Sequence, residues 1–415
     1  MKIAIVGAGV AGLTAAYLLS EHHEVTLYER ESHLGGHAHT VTVPGGDGDY
    51  PVDTGFLVYN DATYPRFIEL LDRLGVESKL STMSFSYRDV QGGLEWKGTN
   101  LNSIFAQRRN ILRPRFLRMV IQILAFNRTL RDLLKTSIDP ELTLAALLAE
   151  RRWSREFLEW YLIPMGAAIW SAEPSTFSEI PARTFAEFFS RHGLLNIRGR
   201  PSWRTIDGGS MSYVERIRER VAAQGTLRTS TPVIALRRDE LGVVVSSAND
   251  EAHFDHAILA CHSDEALAML SDPTEAETNV LGAITYQPND VTLHWDVSMM
   301  PQHQRAWAAW NYRRAPGDGD LATLTYDVST LQSLKALRTF LVTLNSHDAI
   351  DPAKVLGRFR YAHPVLNRAT VHAQQLRHTL TGKHTSFCGA YFGYGFHEDG
   401  VRSALEVCDA LGVGW

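Results

Sequence analysis

Glycines stand at positions 7, 9 and 12 of the run Gly7-Ala8-Gly9-Val10-Ala11-Gly12, and a carboxylate, Glu29, follows downstream. The chemistry that needs this spacing is the binding of a diphosphate. Gly7 permits a tight turn, Gly9 lets the backbone approach a pyrophosphate, and Gly12 lets a helix pack closely on a strand. Val10 and Ala11 then open that helix, whose N-terminal amides and dipole both favour the negative charge. Glu29 lies about twenty residues beyond the turn, the separation at which a carboxylate accepts from a ribose.

These groups need elements to hold them. Lys2-Ile-Ala-Ile-Val6 is short, apolar and partly β-branched, and reads as a strand; Leu13 to Ser20 reads as a helix; Glu24-Val-Thr-Leu-Tyr-Glu29 reads as a second strand. Strand, turn, helix and strand are the context that gives a glycine fingerprint its meaning, and they predict a dinucleotide. The next run, Glu29-Arg30-Glu31-Ser32-His33-Leu34-Gly35-Gly36-His37, resembles the Glu to Leu-Gly-Gly-Arg run of flavoproteins of the glutathione reductase and amine oxidase type. That resemblance implies FAD, held by Arg30, Gly35, Gly36 and His37 as well as by the glycine turn. His37 stands where the family has an arginine on a phosphate.

The whole chain sets bounds. At 415 residues it is too long for one ordinary domain and long enough for two with large cores. With 45% hydrophobic and 21% charged residues it reads as a soluble globular protein. A net charge of −5 argues against general nucleic-acid binding. Cys261, Cys388 and Cys408 have neither metal spacing nor a disulfide framework, so no metal is expected and a reducing cytoplasm is. The first strand begins almost at residue 1, which predicts no signal peptide, and no run of apolar residues reaches membrane-spanning length.

Residues 1–70, 205–265 and 370–415 are expected to build the dinucleotide domain, discontinuously. Residues 71–204 and 266–369 are expected to build the substrate domain. The stretch from about 75 to 200 reads as mostly helical, with breaks at Pro164, Pro174 and Pro181, and residues 266–369 read as an antiparallel sheet. Val233, in Thr231-Pro-Val-Ile234, is counted with the cofactor residues. The fold class that follows is α/β: a Rossmann-like FAD-binding domain with an inserted α+β substrate domain, and a site in the cleft between them.

The C-terminal run Ser386-Phe-Cys-Gly-Ala-Tyr-Phe-Gly-Tyr-Gly-Phe-His-Glu-Asp-Gly-Val401 resembles the closing motif of the flavin amine oxidase superfamily. There a strand and glycine-rich turn lead into a helix aimed at the flavin. The resemblance implies that Gly389 lies at the cofactor, that Glu398 and Asp399 cap the helix, and that the amides of Gly400 and Val401 face negative charge on the reduced ring. Many relatives have an acidic residue just after this glycine, and here it is Ala390. No cysteine falls within 391–397, so the FAD is expected to be non-covalent. His294-Trp-Asp296, Ala308-Ala-Trp-Asn-Tyr312, His363-Pro364 and Gly393 to Gly400 are similar to a bacterial group of predicted NAD/FAD-binding proteins and to the flavin domain fused ahead of plant cyclopropane fatty acid synthases. In that group the genes commonly sit beside lipid methyltransferases, which implies chemistry on unsaturated or methylated acyl chains and a methyltransferase as a partner.

Alternation along Asp290 to Val297 puts Thr292, His294 and Asp296 on one strand face, and makes His294 the leading acid/base candidate. Tyr391, Phe392, Tyr394 and Phe396 can line either a cage for an amine or a slot for an acyl chain, with Tyr391 and Tyr394 counted as catalytic candidates. His363 and His397 read as structural histidines. Between Glu95 and Asp132 there is no acid, while Lys97, Arg108, Arg109, Arg113, Arg115, Arg118, Arg128 and Arg131 alternate with apolar residues. Residues 97–131 are therefore expected to touch an anionic membrane peripherally, from the cytoplasmic side. The reading is an FAD-dependent oxidoreductase of amine oxidase type that desaturates or isomerises a lipid acyl chain. Its alternatives are a soluble amine oxidase of the monoamine or polyamine type and a non-catalytic flavoprotein partner of a lipid methyltransferase.

Overall fold

The computed structural model describes residues 1–137, 139–170, 176–196, 198–248, 250–315, 321–380 and 382–415. Five parallel strands gather from distant parts of the chain in the order Thr226–Arg228, Glu24–Tyr28, Lys2–Val6, His256–Leu259, Thr385–Phe387. Lys2–Val6 is central: Ile3 pairs with Val25 on one side and with His256 on the other. Ile3, Ala4 and Ile5 have no exposed surface, as a parallel strand covered on both faces requires. The first helix, Val10–Leu19, is buried along its whole length, packed between the sheet and the helices Met211–Gln224 and His397–Ala410. It is apolar all round for that reason. The expected α/β class with a Rossmann-like half is the one observed.

The second half is a seven-stranded sheet in the order Val355–Pro364, Tyr286–His294, Leu341–Leu344, Thr323–Asp327, Trp310–Arg314, Phe85–Asp89, Leu94–Lys97. It differs from the expected antiparallel sheet in being mixed, because Trp310–Arg314 and Phe85–Asp89 run parallel. Two of its strands come from the stretch expected to be mostly helical. Phe85–Asp89 pairs with Trp310–Arg314, more than two hundred residues away, a contact that local periodicity does not report, and Leu94–Lys97 joins the sheet by pairing with Phe85–Asp89. Pro174 lies outside the described residues, and Pro164 does not break its helix. Leu158–Leu162 forms a π turn, closed by the Ile163 N–H on Leu158 O, and Ile163–Trp170 continues through the proline, which has no N–H to donate.

The long helix Pro114–Leu133 buries Phe116, Met119, Phe126 and Leu130 on one stripe, against a core that includes Phe157, Phe185 and Phe189. Among the described residues no helix is long and apolar enough to cross a membrane.

Candidate active site

A cavity of about 2130 Å³ lies at the carboxyl ends of Lys2–Val6 and Glu24–Tyr28, and runs on between the mixed sheet and the helices. Gly7, with φ of 100°, donates its N–H to Tyr28 O at 2.9 Å, and a Cβ there would sit 2.9 Å from the Cys261 amide nitrogen. A Cβ on Gly12 would lie 1.9 Å from Gly7 O, so Gly12 sets the helix–strand contact and stays out of the cavity wall. Gly9 differs from both. Nothing lies within 4 Å of its added Cβ, and it caps the first helix with no side chain over the first-turn amides of Val10 and Ala11, which line the cavity. Those amides and the dipole form an anion site of the kind a pyrophosphate fills.

Glu29 is tied to the turn. Ala8 N–H donates to its Oε2 at 2.8 Å and Glu31 N–H to its Oε1 at 3.0 Å, leaving each oxygen a further lone pair for a ribose hydroxyl. Gly35 N–H donates to Ala8 O at 2.8 Å, and a Cβ on Gly36 would lie 3.2 Å from Gly9 Cα, so the Gly-Gly pair packs directly on the glycine turn. Arg30 lines the cavity with its guanidinium on Glu265 at 2.5 Å, and Val233 and Gly389 line it as well. The cradle fits a dinucleotide.

His37 lines the cavity but does not replace the family's arginine as a cation. Its ring is tilted against Tyr361 (4.9 Å) and His363 (5.1 Å), and burial, with His363, His262 and His397 nearby, holds its pKa well below the ordinary value. Its Nε2 is buried with no partner. Burial likewise holds His192 and His363 at about 4 and His397 at about 3. Together with His33, His39 and His262 these histidines line one cavity from scattered positions. Sequence reasoning missed His192, His262, Tyr286 and Tyr361, which share no spacing with the motifs; only the fold brings them together.

The closing motif is shifted from its expected register. The helix is His397–Ala410 with Phe396 at its N-cap, and both Asp399 N–H and Gly400 N–H donate to Phe396 O, so the free first-turn amides belong to His397 and Glu398. Asp399 Oδ2 accepts from Tyr394 N–H at 2.9 Å and Phe396 N–H at 3.1 Å, holding the aromatic turn. Glu398 reaches the helix Pro65–Leu74 instead of the cavity, accepting from Arg66 N–H and Phe67 N–H. Gly400 is where the first and last helices meet: a Cβ would fall 2.6 Å from Val10 Cγ1. Val401 is buried in the same core. None of Glu398, Asp399, Gly400 and Val401 lines the cavity.

Of the catalytic candidates, Tyr391 is at the cavity wall, its ring over Gly389 and its hydroxyl buried without a partner. Tyr394 sits behind the wall, edge-on to Phe188 at 5.3 Å, and Phe396 lines the cavity in its place. His294 lies away from it, within the mixed sheet. Asp296 N–H donates to its Nδ1 at 3.0 Å, so Nε2 carries the proton and donates to Thr343 Oγ1 at 2.7 Å. Alternation misled because both faces of this strand are covered; the polar face is an interior ladder of Thr292, His294, Thr325 and Thr343.

Among the described residues no cluster of three or more His, Cys, Asp or Glu side chains forms a metal site. Fold and cradle together define a dinucleotide-binding flavoprotein. The chain belongs to the flavin containing amine oxidoreductase family, which it matches over residues 10–332, and its cofactor is FAD. Cyclohexylamine oxidase from Brevibacterium oxydans superposes with a TM-score of 0.71 at 18% identity, covering 99% of this chain and 98% of that one. The CLA-producing fatty acid isomerase from P. acnes superposes with a TM-score of 0.70 at 14% identity, covering 98% of each. In sequence, 87 residues are 38% identical to 15-cis-phytoene desaturase of Synechococcus elongatus, covering 21% of this chain and 18% of the relative. A further 37% identity over 95 residues links the chain to zeta-carotene desaturase of Synechocystis sp., covering 22% of this chain and 19% of the relative. These matches thus span about a fifth of each curated relative.

Proposed function

We propose that the protein is an FAD-dependent oxidoreductase that desaturates or isomerises a long apolar chain, a fatty acyl lipid. The observation that carries this reading is the apolar arm of the cavity. Beyond the dinucleotide cradle it is walled by Met119, Val120, Ile123, Met165, Ile169 and Phe189. The cavity, at about 2130 Å³, is at least twice the roughly 300–1,000 Å³ of ordinary small-molecule sites, which leaves room for both cofactor and chain. Among the described residues its carboxylates are Glu29, Glu31 and Glu265, all at the cradle, so the arm offers an ammonium no counter-ion. The similarity to two carotene desaturases, and in fold to a fatty acid isomerase, accords with an apolar substrate.

Bound FAD supplies the electron acceptor; the protein supplies binding, orientation and electrostatics. The apolar arm excludes water and aligns the chain by shape. Tyr391 and His37 both line the cavity, and Tyr391 Oη and His37 Nε2 are buried and without protein partners. Burial favours the neutral form of His37, His363 and His397, so these three rings offer a donor and an acceptor each.

Anaerobic titration of the purified yellow protein tests this reading. Bleaching of the flavin by dispersed unsaturated fatty acid or phospholipid is expected. Bleaching by polyamine alone would favour an amine oxidase, and bleaching by neither would favour an accessory flavoprotein; both outcomes overturn the proposal.

A further inference from the structure

The helix Pro114–Leu133 that walls the apolar arm has an outer face that the fold leaves bare. Leu117, Ile121 and Leu124 lie along it at 36%, 65% and 50% exposure, and Ile111 and Leu112 continue the face from the preceding turn at 48% and 86%. A soluble protein exposes single apolar side chains everywhere, so the clustering is what matters. Among the described residues, six of the thirteen exposed large apolar side chains fall between Leu101 and Leu124.

Around this face the charge is mainly positive. Arg113 and Arg118 have no ion-pair partner among the described residues; exposed Arg115 meets the largely covered Glu156 at 3.6 Å, and Arg128 meets Asp132 at 3.8 Å with both side chains exposed. A solvent-exposed pair such as Arg128 with Asp132 holds weakly and re-partners readily. Arg108 and Arg131 are instead occupied by carbonyls of the fold, at Phe105 and Leu195.

The same helix connects outside to inside. Leu124 is half exposed on the outer face and also lines the cavity, and Leu101, 75% exposed, does the same from the neighbouring turn. Met119, Val120, Ile123 and Asn127 line the arm from the inward side of that helix. An apolar chain leaving the arm here emerges among exposed leucines ringed by arginines.

We infer that the outer face of Pro114–Leu133, with Ile111 and Leu112, docks on a bilayer containing anionic phospholipid, and that the cavity opens toward that bilayer between Leu101 and Leu124. The inference rests on the apolar-chain reading only for what passes through the opening; the docking itself stands on the exposed face. Apolar side chains enter the headgroup boundary while arginines pair with phosphates, the arrangement of an interfacial helix.

The test is co-sedimentation of the full FAD-loaded chain with phosphatidylcholine vesicles, with and without phosphatidylglycerol. Binding is expected with phosphatidylglycerol, and weaker binding at high salt. Leu117→Glu with Ile121→Glu, at positions that touch neither cavity nor cofactor, is expected to weaken vesicle binding by about tenfold or more, while retaining flavin absorbance and bleaching by detergent-dispersed lipid. Arg113→Ala with Arg118→Ala should remove most of the preference for phosphatidylglycerol. Failure of the native protein to sediment with anionic vesicles, or equal binding by the glutamate variant, overturns the inference. So does sedimentation velocity showing a dimer that the glutamate variant dissociates, since a second copy would then cover the face. Vesicle binding without bleaching by any lipid leaves docking intact and sinks the substrate reading alone.

Discussion

Glu398, in the first turn of the closing helix, accepts from the Phe67 N–H at 2.9 Å and from the Arg66 N–H at 3.1 Å, and so caps a helix more than three hundred residues earlier. That helix, Pro65–Leu74, follows Tyr64 and has no side-chain cap of its own. The contact joins the opening and closing segments of the FAD-binding half. Glu398→Ala should therefore lower stability by about 1–2 kcal/mol, the usual cost of a lost N-cap, and leave FAD affinity unchanged. Urea unfolding of the apoprotein with a flavin fluorescence titration separates the two; a large loss of FAD affinity at full stability would return Glu398 to the cofactor site.

Gly9 and Gly12 should respond oppositely to alanine. Nothing lies near an added Cβ at Gly9, so Gly9→Ala keeps the melting temperature of the apoprotein but obstructs the approach of the pyrophosphate, weakening FAD binding by about tenfold or more. At Gly12 the methyl collides with Gly7 O, and the first helix must move off its strand. Gly12→Ala should cost about 1–3 kcal/mol or more, seen as a lower urea midpoint without ligand.

Tyr391 Oη has no partner in the protein, so Tyr391→Phe removes a buried unsatisfied hydroxyl. Stability should hold or rise by about 1 kcal/mol. If the hydroxyl bonds the cavity's contents, flavin reduction by substrate slows in the same variant. Stopped-flow reduction at native speed would remove Tyr391 from the chemistry.

His294 is fully buried and held on both ring nitrogens. His294→Ala leaves Thr343 Oγ1 and the Asp296 N–H to find new partners in a dry sheet. The expected cost is about 2–4 kcal/mol of stability, with FAD binding and the rate of flavin reduction unchanged in the folded fraction. Slower reduction in protein of native stability would restore His294 as a catalytic candidate.

The buried histidines set the pH dependence of stability. Burial lowers His192, His256, His294 and His363 from 6.5 to about 4, and His397 to about 3. Between pH 6.5 and 4 the unfolded chain therefore takes up protons that the folded chain refuses, and stability falls as the pH is lowered through that window. Asp53, raised by burial from 3.8 to about 6, acts the other way, because there the folded chain binds the extra proton. Five groups outweigh one. Urea midpoints should be nearly flat from pH 8 to 7 and drop steadily from pH 6 to 5; a midpoint that rises on acidification would show that these histidines are solvated.

The cofactor cradle was legible in the sequence because its logic is local. A tight turn, a close backbone approach and a helix start each demand glycine at a set offset, and Glu29 is carried to them by the very next strand. The identity of the cofactor came from the resemblance of the Glu29 to His37 run to flavoproteins, and in the fold Gly35 and Gly36 pack back on the same turn. Register was not legible. One residue of the closing motif differs from its neighbour only in which amide the turn leaves free, so Gly400 and Val401 were expected where His397 and Glu398 lie, and Asp399 was spent on the aromatic turn.

What the tertiary structure decided is everything that depends on partners far away in the chain. Alternation marked His294 as polar-faced, but whether a polar face meets solvent, a flavin or another covered layer is set by what packs on the sheet. The strand Phe85–Asp89 lies in a stretch that reads as mostly helical, and it is held between Trp310–Arg314 and Leu94–Lys97. The histidines that line the cavity come from segments with no common spacing. The amino-acid order by itself determined the dinucleotide turn, its acidic partner and the basic, apolar character of residues 97–131, because those are short-range properties of the chain. Only the fold decided which face of the helix Pro114–Leu133 walls the cavity and which stays bare, because burial is a property of the surroundings that assemble around a residue.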